Sequence, residues 1–252
     1  MSENSLAGSV ALVTGASSGV GAATAHRLAR EGAAVALVAR RPDHLNHVAD
    51  DIMSLGGKAV AVVADLTEPD GASQAVQNTV DRLGRLDVLV NNAGVMLLDT
   101  ALHTPIQDWD RMISLNVTAL LHVTHAAVPY LIDAAATSPR QVADLVNVSS
   151  TAGRIARPAS SAYNLTRFGL SGFTESLRQE LRTERVRVSV VAPGPVDTKM
   201  ESHLLKNATS RQPGGVESLR PEDVADAIAY IVTREWRVAV NEILVRAAEQ
   251  TW

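Results

Sequence analysis

Short runs of consecutive apolar residues recur along the chain, separated by segments of helical period. The runs are VALVT (10–14), AVALVA (34–39), KAVAVVAD (58–65), LDVLVN (86–91), ADLVNVSS (143–150), VRVSVVAP (186–193) and NEILVR (241–246). A strand that is apolar at successive positions is covered on both faces. Covering both faces requires crossovers that lay helices on the sheet, and such crossovers are right-handed. Helices are predicted over 20–32, 42–57, 69–83, about 105–135, about 161–184 and 221–233. Gly32 stops the first, and Pro42 opens the second. The pattern predicts an α/β fold, a doubly wound parallel sheet of about seven strands with helices on both faces.

No linker, repeat or low-complexity tract divides the 252 residues, so residues 1–252 read as one domain. Aromatic residues make up only 3%, which leaves the core to Ala, Val and Leu. The net charge of −4 offers no basic footprint and argues against a nucleic-acid partner. With no cysteine in the chain, disulfides, thiolate catalysis and Cys-ligated metals are excluded. No apolar run reaches bilayer-spanning length, and MSENSLAGS lacks the regions of a signal peptide. The expectation is a cytoplasmic protein with no membrane partner. His122 and His125 lie three apart without a carboxylate to complete a metal set, so no metal is predicted.

VTGASSGVG (13–21) lies between the first strand and the first helix and spaces Gly15, Gly19 and Gly21 as G-x-x-x-G-x-G. Glycines there let the backbone turn sharply and approach a pyrophosphate, while the helix N-terminus supplies free N–H groups and the positive end of its dipole. A glycine trio alone also fits a tight turn, but placed directly after a buried strand it reads as a phosphate loop of the Rossmann type. The second strand ends LVARRPD, with Ala39 where an acid would bind the ribose 2′-hydroxyl of NAD. Arg40 and Arg41 follow, and two guanidinium groups suit a 2′-phosphate, so the cofactor is expected to be NADP(H).

SAYNLTRFG (161–169) opens a helix on which Tyr163 and Arg167 share a face. Ionising a free phenol at pH 7 costs about 4 kcal/mol. A unit charge about 4 Å away returns about 4 kcal/mol at an effective dielectric of 20. A cation at Arg167 is thus large enough to matter, although a guanidinium stays protonated and cannot itself relay a proton. Ser150 ends the fifth run, at the carboxyl end of a strand, where ligands bind in open α/β sheets. Its hydroxyl can polarise a carbonyl while Tyr163 acts as acid–base.

The glycine loop, NNAG (91–94), Ser150 thirteen residues before Tyr163, Asn116 in SLNVTAL and PGPVDT (193–198) together resemble the short-chain dehydrogenase/reductase family over nearly the whole chain. Within that family the chain looks most like bacterial reductases of small aldehydes and ketones, including the clavulaldehyde reductase branch. The resemblance implies Asn116, Ser150, Tyr163 and Arg167 as catalytic residues. Around the cofactor it places Gly15, Ser17, Ser18, Gly19, Val20 and Gly21 at the phosphates, and Arg40, Arg41, Asp65 and Leu66 at the adenosine. Asn92, Ala93, Gly94, Tyr163, Arg167, Pro193, Gly194, Val196 and Thr198 complete the set, with Thr198 at the nicotinamide amide. One departure stands out, for Arg167 occupies the position of the family lysine.

Substrate walls are expected from GVMLLD (94–99), TAGRIARPAS (151–160) and KMESHLLKNATSRQPGG (199–215), with 196–220 reading as a mobile lid. Arg154 and Arg157 could meet an anionic group. Family resemblance implies a homotetramer or homodimer built on the long helix and the tyrosine helix. The leading function is an NADPH-dependent carbonyl reductase, reversible as an alcohol dehydrogenase, acting on a small ketone or aldehyde. Arg167 keeps two others open: a non-redox cyclase or dehydratase, and a cofactor-binding regulatory protein.

Overall fold

The computed structural model describes residues 5–198 and 218–250. Seven parallel strands form one sheet: β1 (Val10–Thr14), β2 (Ala34–Ala39), β3 (Lys58–Val63), β4 (Val88–Asn91), β5 (Ala143–Val148), β6 (Val186–Pro193) and β7 (Glu242–Val245). Their order is β3-β2-β1-β4-β5-β6-β7, so the chain reverses its winding between β1 and β4. A crevice opens at such a switch point, outside the carboxyl ends of the strands.

The helices are α1 (Gly19–Arg30), α2 (Pro42–Ser54), α3 (Gly71–Leu83), α4 (Ile106–Ile113), α5 (Leu120–Thr137), α6 (Ser161–Glu180) and α7 (Pro221–Val232). Alternate residues of each strand serve two cores. Ala11, Val13, Val35, Leu37, Val88 and Val90 pack with Leu28, Leu45 and Ile228 from α1, α2 and α7. Leu12, Ala36, Val38, Leu89 and Leu145 pack with Val76, Val123, Leu131 and Leu177 from α3, α5 and α6. The buried set is dominated by Ala, Val and Leu, as an aromatic-poor composition requires.

The predicted helix over 105–135 is continuous in space but not in register. Between α4 and α5, residues Ser114–Ala119 adopt a π-helical turn. A hydrophobic period read at 3.6 residues per turn does not register such an insertion, and π turns gather at functional sites. The stretch Ile106–Thr137 has the length and apolarity of a membrane span. Yet Leu120, Val123, Ala127 and Leu131 are buried in the sheet-facing core, which accounts for that apolarity. Most of the expected lid, residues 199–217, lies outside the described residues. The segment's two ends are joined: Asp197 donates its N–H to Leu219 at 2.8 Å, and Leu219 donates to Pro195 at 3.0 Å.

At the amino edge of the sheet the chain buries charge. Asp144, at the start of β5, accepts from Arg187 Nε at 2.7 Å and Nη2 at 3.0 Å, and from Arg140 Nη2 at 2.7 Å. Arg187 also donates through Nη1 to the carbonyls of Arg234, Glu235 and Val238, tying the segment after α7 to β6. Asp87 accepts the Val10 N–H at 2.9 Å and a two-point contact from Arg85.

Candidate active site

At the opposite, carboxyl edge a groove of about 940 Å³ crosses the switch point. Strand order sets its sequence of walls. Arg40 and Arg41 follow β2, the glycine loop follows β1, Asn92–Gly94 follow β4, Ser149 and Ser150 follow β5, and Gly194 follows β6. Its volume sits at the upper end for ligand sites, as an extended ligand requires.

The loop after β1 turns at Gly15, whose φ of +67° lies in the left-handed region. A Cβ there would also stand 3.0 Å from the Ala93 Cα. Ser18 precedes α1 in extended conformation without a side-chain cap, so the first-turn N–H groups of α1 remain as donors to the groove. At the neighbouring wall Arg41 Nη2 donates to Ser17 Oγ at 3.3 Å, and Arg40 lies 3.6 Å from the Asp65 carboxylate. Burial works to raise the Asp65 pKa, but hydrogen bonds from Thr67 and the nearby Arg40 outweigh it and hold the carboxyl below its ordinary value.

Tyr163 and Arg167 are both buried, at 6% and 5% exposure, so the guanidinium is held beside the phenol inside the fold. The guanidinium carbon lies 4.9 Å from the centroid of the Tyr163 ring, a cation–π stack one helical turn long. Arg167 Nη1 donates to the Val148 carbonyl at 3.3 Å. Nη2 occupies room that only a glycine at 94 leaves, since a Cβ there would stand 2.7 Å from it. Nε is buried with no partner, and among the described residues no carboxylate pairs with this guanidinium. Ser149 Oγ is likewise buried and unpartnered beside it in the groove wall. Buried donors left open in this way await acceptors from a ligand.

Ser150 Oγ accepts the N–H of Ala152 at 3.1 Å, which leaves the hydroxyl proton free to be donated elsewhere. The loop that follows is held by Asn164, next to Tyr163 on α6. Its Nδ2 donates to the carbonyls of Ala152 and Ile155, at 2.5 and 3.1 Å, and its Oδ1 accepts from Arg157 N at 3.3 Å. Of the two arginines on this loop, Arg157 lines the groove, whereas Arg154 is ion-paired with Glu242.

Of the site residues expected from sequence, all but two line the groove. Gly21 stands behind it: a Cβ there would lie 2.4 Å from the Gly15 carbonyl, so this glycine serves the packing of α1 against the loop. Asn116 also stands back, on the π turn. Its Oδ1 accepts Val95 N–H and its Nδ2 donates to Val95 O, both at 2.8 Å, clamping the strand that leaves Gly94. Asn91, which opens NNAG and ends β4, points into the core. It donates to Thr124 on α5 and to Asn147, and Asn147 donates to Thr174 on α6. This buried chain fixes both helices under the site. Sequence reasoning missed three residues: Thr14, whose hydroxyl accepts the N–H groups of Asn92 and Ala93; Asn164; and Gln250 in the groove wall. Thr14 ends a strand directly before a glycine loop, and that was its only signal. His122 and His125 join no metal cluster, and no group of metal-ligating side chains occurs among the described residues.

Known proteins resemble this chain in sequence and fold. The chain is 35% identical over 250 residues to the glycine betaine reductase ATRR of Emericella nidulans, covering 97% of this chain but only 19% of that much longer protein. It is 33% identical over 243 residues to the 3-oxoacyl-[acyl-carrier-protein] reductase FabG of Thermotoga maritima, covering 95% and 96% of the two chains. The crystal structure of a metagenomic short-chain oxidoreductase in complex with NADP superposes with a TM-score of 0.81 at 35% identity, over 97% and 99% of the chains. The short chain dehydrogenase family profile matches residues 9–209, and with the strand order and the groove described above it makes this chain a member of the short-chain dehydrogenase/reductase family of nicotinamide-dependent oxidoreductases.

Proposed function

We propose that the protein is an NADPH-dependent carbonyl reductase, reversible as an alcohol dehydrogenase, acting on a small ketone or aldehyde. The observation that carries this reading is the Ser150 hydroxyl, the Tyr163 phenol and the Arg167 guanidinium on one groove wall, in line with a glycine loop and a paired arginine site. The dinucleotide, when bound, supplies the hydride. Arg40, Arg41 and Ser17 would hold its 2′-phosphate, the α1 N-terminus its pyrophosphate, and the open Arg167 Nε its ribose hydroxyls.

The remaining work falls to the chain's own side chains. Ser150, with its oxygen already accepting from Ala152, donates to the substrate carbonyl oxygen and polarises it. Tyr163 gives the proton that this oxygen gains on reduction and takes it back in the reverse direction. Arg167, stacked on the Tyr163 ring, sets a fixed positive charge beside the phenol and passes no proton. Asn116 acts as a positioning residue through Val95, holding Gly94 against the guanidinium. The arginine had been the reason to entertain a silent or non-redox fold, and its burial beneath the phenol supports a working cation. The apolar residues Leu165 and Phe168 stand exposed on α6 beside Gly169 and Gly172, which supports assembly of the family type through this helix, measurable by sedimentation.

The deciding experiment is a panel of small ketones and aldehydes with NADPH, followed at the nicotinamide absorbance. Turnover that persists in Tyr163→Phe, or no turnover of any carbonyl by a protein that binds NADPH, would overturn the assignment.

A further inference from the structure

Beyond β7 the chain turns back on itself, with Gln250 N donating to Ala247 O at 3.0 Å. The turn lays the Gln250 side chain over Gly194, at the β6 end of the groove, and both residues line it. Gly194 does not have the positive φ that would demand a glycine for conformational reasons. The demand comes from its neighbour: a Cβ on Gly194 would stand 2.1 Å from Gln250 Oε1 and 3.0 Å from its Cδ. The backbone N–H of Gly194 is already spent on Val245 O at 2.8 Å. Gln250 Oε1 is buried with no hydrogen-bond partner. The tail is also anchored to the catalytic loop, since Arg154, four residues after Ser150, is ion-paired with Glu242 at the start of β7.

A buried amide oxygen is an acceptor only, and leaving it without a donor is unfavourable. Among the described residues nothing donates to it, and the space beside it is the groove. We infer that Gln250 is a ligand-reading residue, whose Oε1 accepts a hydrogen bond from a hydroxyl or amide N–H of the molecule bound at the Gly194 end. The inference rests on the reductase reading for the identity of that molecule. Two sources carry such a donor: the carboxamide of the cofactor, and a substrate hydroxyl or amide other than the reacting carbonyl.

Gln250→Leu fills the same room without the acceptor, and Gln250→Glu keeps an acceptor in the same place. Two arms are measured: the Kd for NADPH by titration, and kcat and KM for two ketones of like shape in which a hydroxyl replaces a methyl, hydroxyacetone and butanone in the simplest case. The expected result is that Gln250→Leu keeps the parent's thermal midpoint but weakens one arm about tenfold. A rise in the NADPH Kd assigns the donor to the cofactor, and a rise in KM for the hydroxylated ketone alone assigns it to the substrate. Gln250→Glu should retain most of the lost affinity. Equal losses for both ketones with NADPH affinity unchanged, no loss in either arm, or failure of Gln250→Glu to rescue would overturn the inference. A parent enzyme that reduces no carbonyl brings down the functional reading instead, and the NADPH arm alone then decides Gln250.

Discussion

Asp144, at the amino edge of the sheet, is fully buried, and Arg187 and Arg140 both close on its carboxylate. Arg167, at the carboxyl edge, is buried almost as deeply, and among the described residues it meets an aromatic face and one carbonyl but no anion. The same chain therefore handles buried charge in two ways. At the amino edge the charges are neutralised within the fold, and the guanidinium donors also tie down the carbonyls that follow α7. At the carboxyl edge Arg167 Nε, Ser149 Oγ and Gln250 Oε1 are left without partners along a single groove. A buried polar group with no partner lowers stability unless something completes it. The edge that supports the fold answers its carboxylates within the chain and leaves Arg140 Nη1 open, whereas the groove edge leaves three polar atoms open where a ligand can reach them.

The largest test of that division removes one atom from the carboxyl edge. Tyr163→Phe should lower kcat by about 10²–10⁴, the range a general acid–base contributes. Its thermal midpoint and NADPH affinity should stay near the parent's, because the phenol oxygen makes no hydrogen bond within the described fold. Steady-state kinetics beside a thermal melt and a cofactor titration check it. A variant that loses stability along with activity would show the phenol to be structural.

A paired substitution sharpens the comparison further. Arg187→Met leaves Asp144 buried with one partner instead of two and should cost about 3–5 kcal/mol, the usual loss when a buried ion pair is broken from one side. Arg167→Met replaces a buried cation that lacks a counter-ion by an apolar chain of similar length, and such replacements are neutral or stabilising. Urea unfolding of the two variants should therefore diverge, while turnover and NADPH affinity fall for Arg167→Met. Arg167→Lys, which keeps the charge, should retain activity. Equal destabilisation at both positions would erase the distinction between the edges.

The sheet and its helices were legible because period and composition carry them. Seven apolar runs gave seven strands, with ends displaced by a residue or two, as at β4 where Asp87 serves as a hydrogen-bond acceptor before the strand begins. The glycine loop, Arg41 and the Tyr163–Arg167 pair were legible because their spacing is local. What stayed hidden depends on chain brought together from afar. Asn116 owes its position to a π turn that a hydrophobic pattern does not encode. Asn91 pointed to the core because Thr124 and Asn147, 33 and 56 residues away, receive it there. Gln250 comes to the groove only through a turn after the last strand.

A smaller effect is expected at the far end of the groove. Arg40→Ala with Arg41→Ala should weaken NADPH binding about 10- to 100-fold, as loss of charge-assisted bonds to a phosphate at an exposed site does. NADH affinity should hardly change, since that cofactor lacks the 2′-phosphate. Unlike Arg187, these arginines are exposed, and their loss should leave the unfolding midpoint in place. Parallel titrations with the two cofactors decide the matter, and equal weakening of both would show that the pair holds the protein together rather than the phosphate.

The smallest predicted effect compares one carboxylate from each edge by pH. Glu31, in the turn before β2, experiences burial that would raise its pKa, but hydrogen bonds from Arg27 and Ser5 outweigh it and hold it below the ordinary value. Asp65, at the groove, is held low by Thr67 and Arg40 against the same opposing burial. A carboxyl whose folded pKa is depressed adds stability that is fully present above its unfolded pKa and is lost as pH falls through the folded one. Glu31→Gln and Asp65→Asn should each be less stable than the parent at neutral pH, by about 1 kcal/mol or less for partly exposed groups. Both deficits should shrink as pH falls below the ordinary carboxylate range and through each lowered folded pKa, as the parent's own carboxyls protonate. The two positions then part on adding NADPH. A 2′-phosphate that engages Arg40 withdraws that cation from Asp65, so saturating cofactor should shrink the Asp65→Asn deficit and leave the Glu31→Gln deficit as it was. Unfolding measured across this pH range, with and without cofactor, reads both effects. A deficit at Asp65 that ignores NADPH would mean Arg40 serves that carboxylate rather than the phosphate, and would move the cofactor's recognition to Arg41 and Ser17 alone.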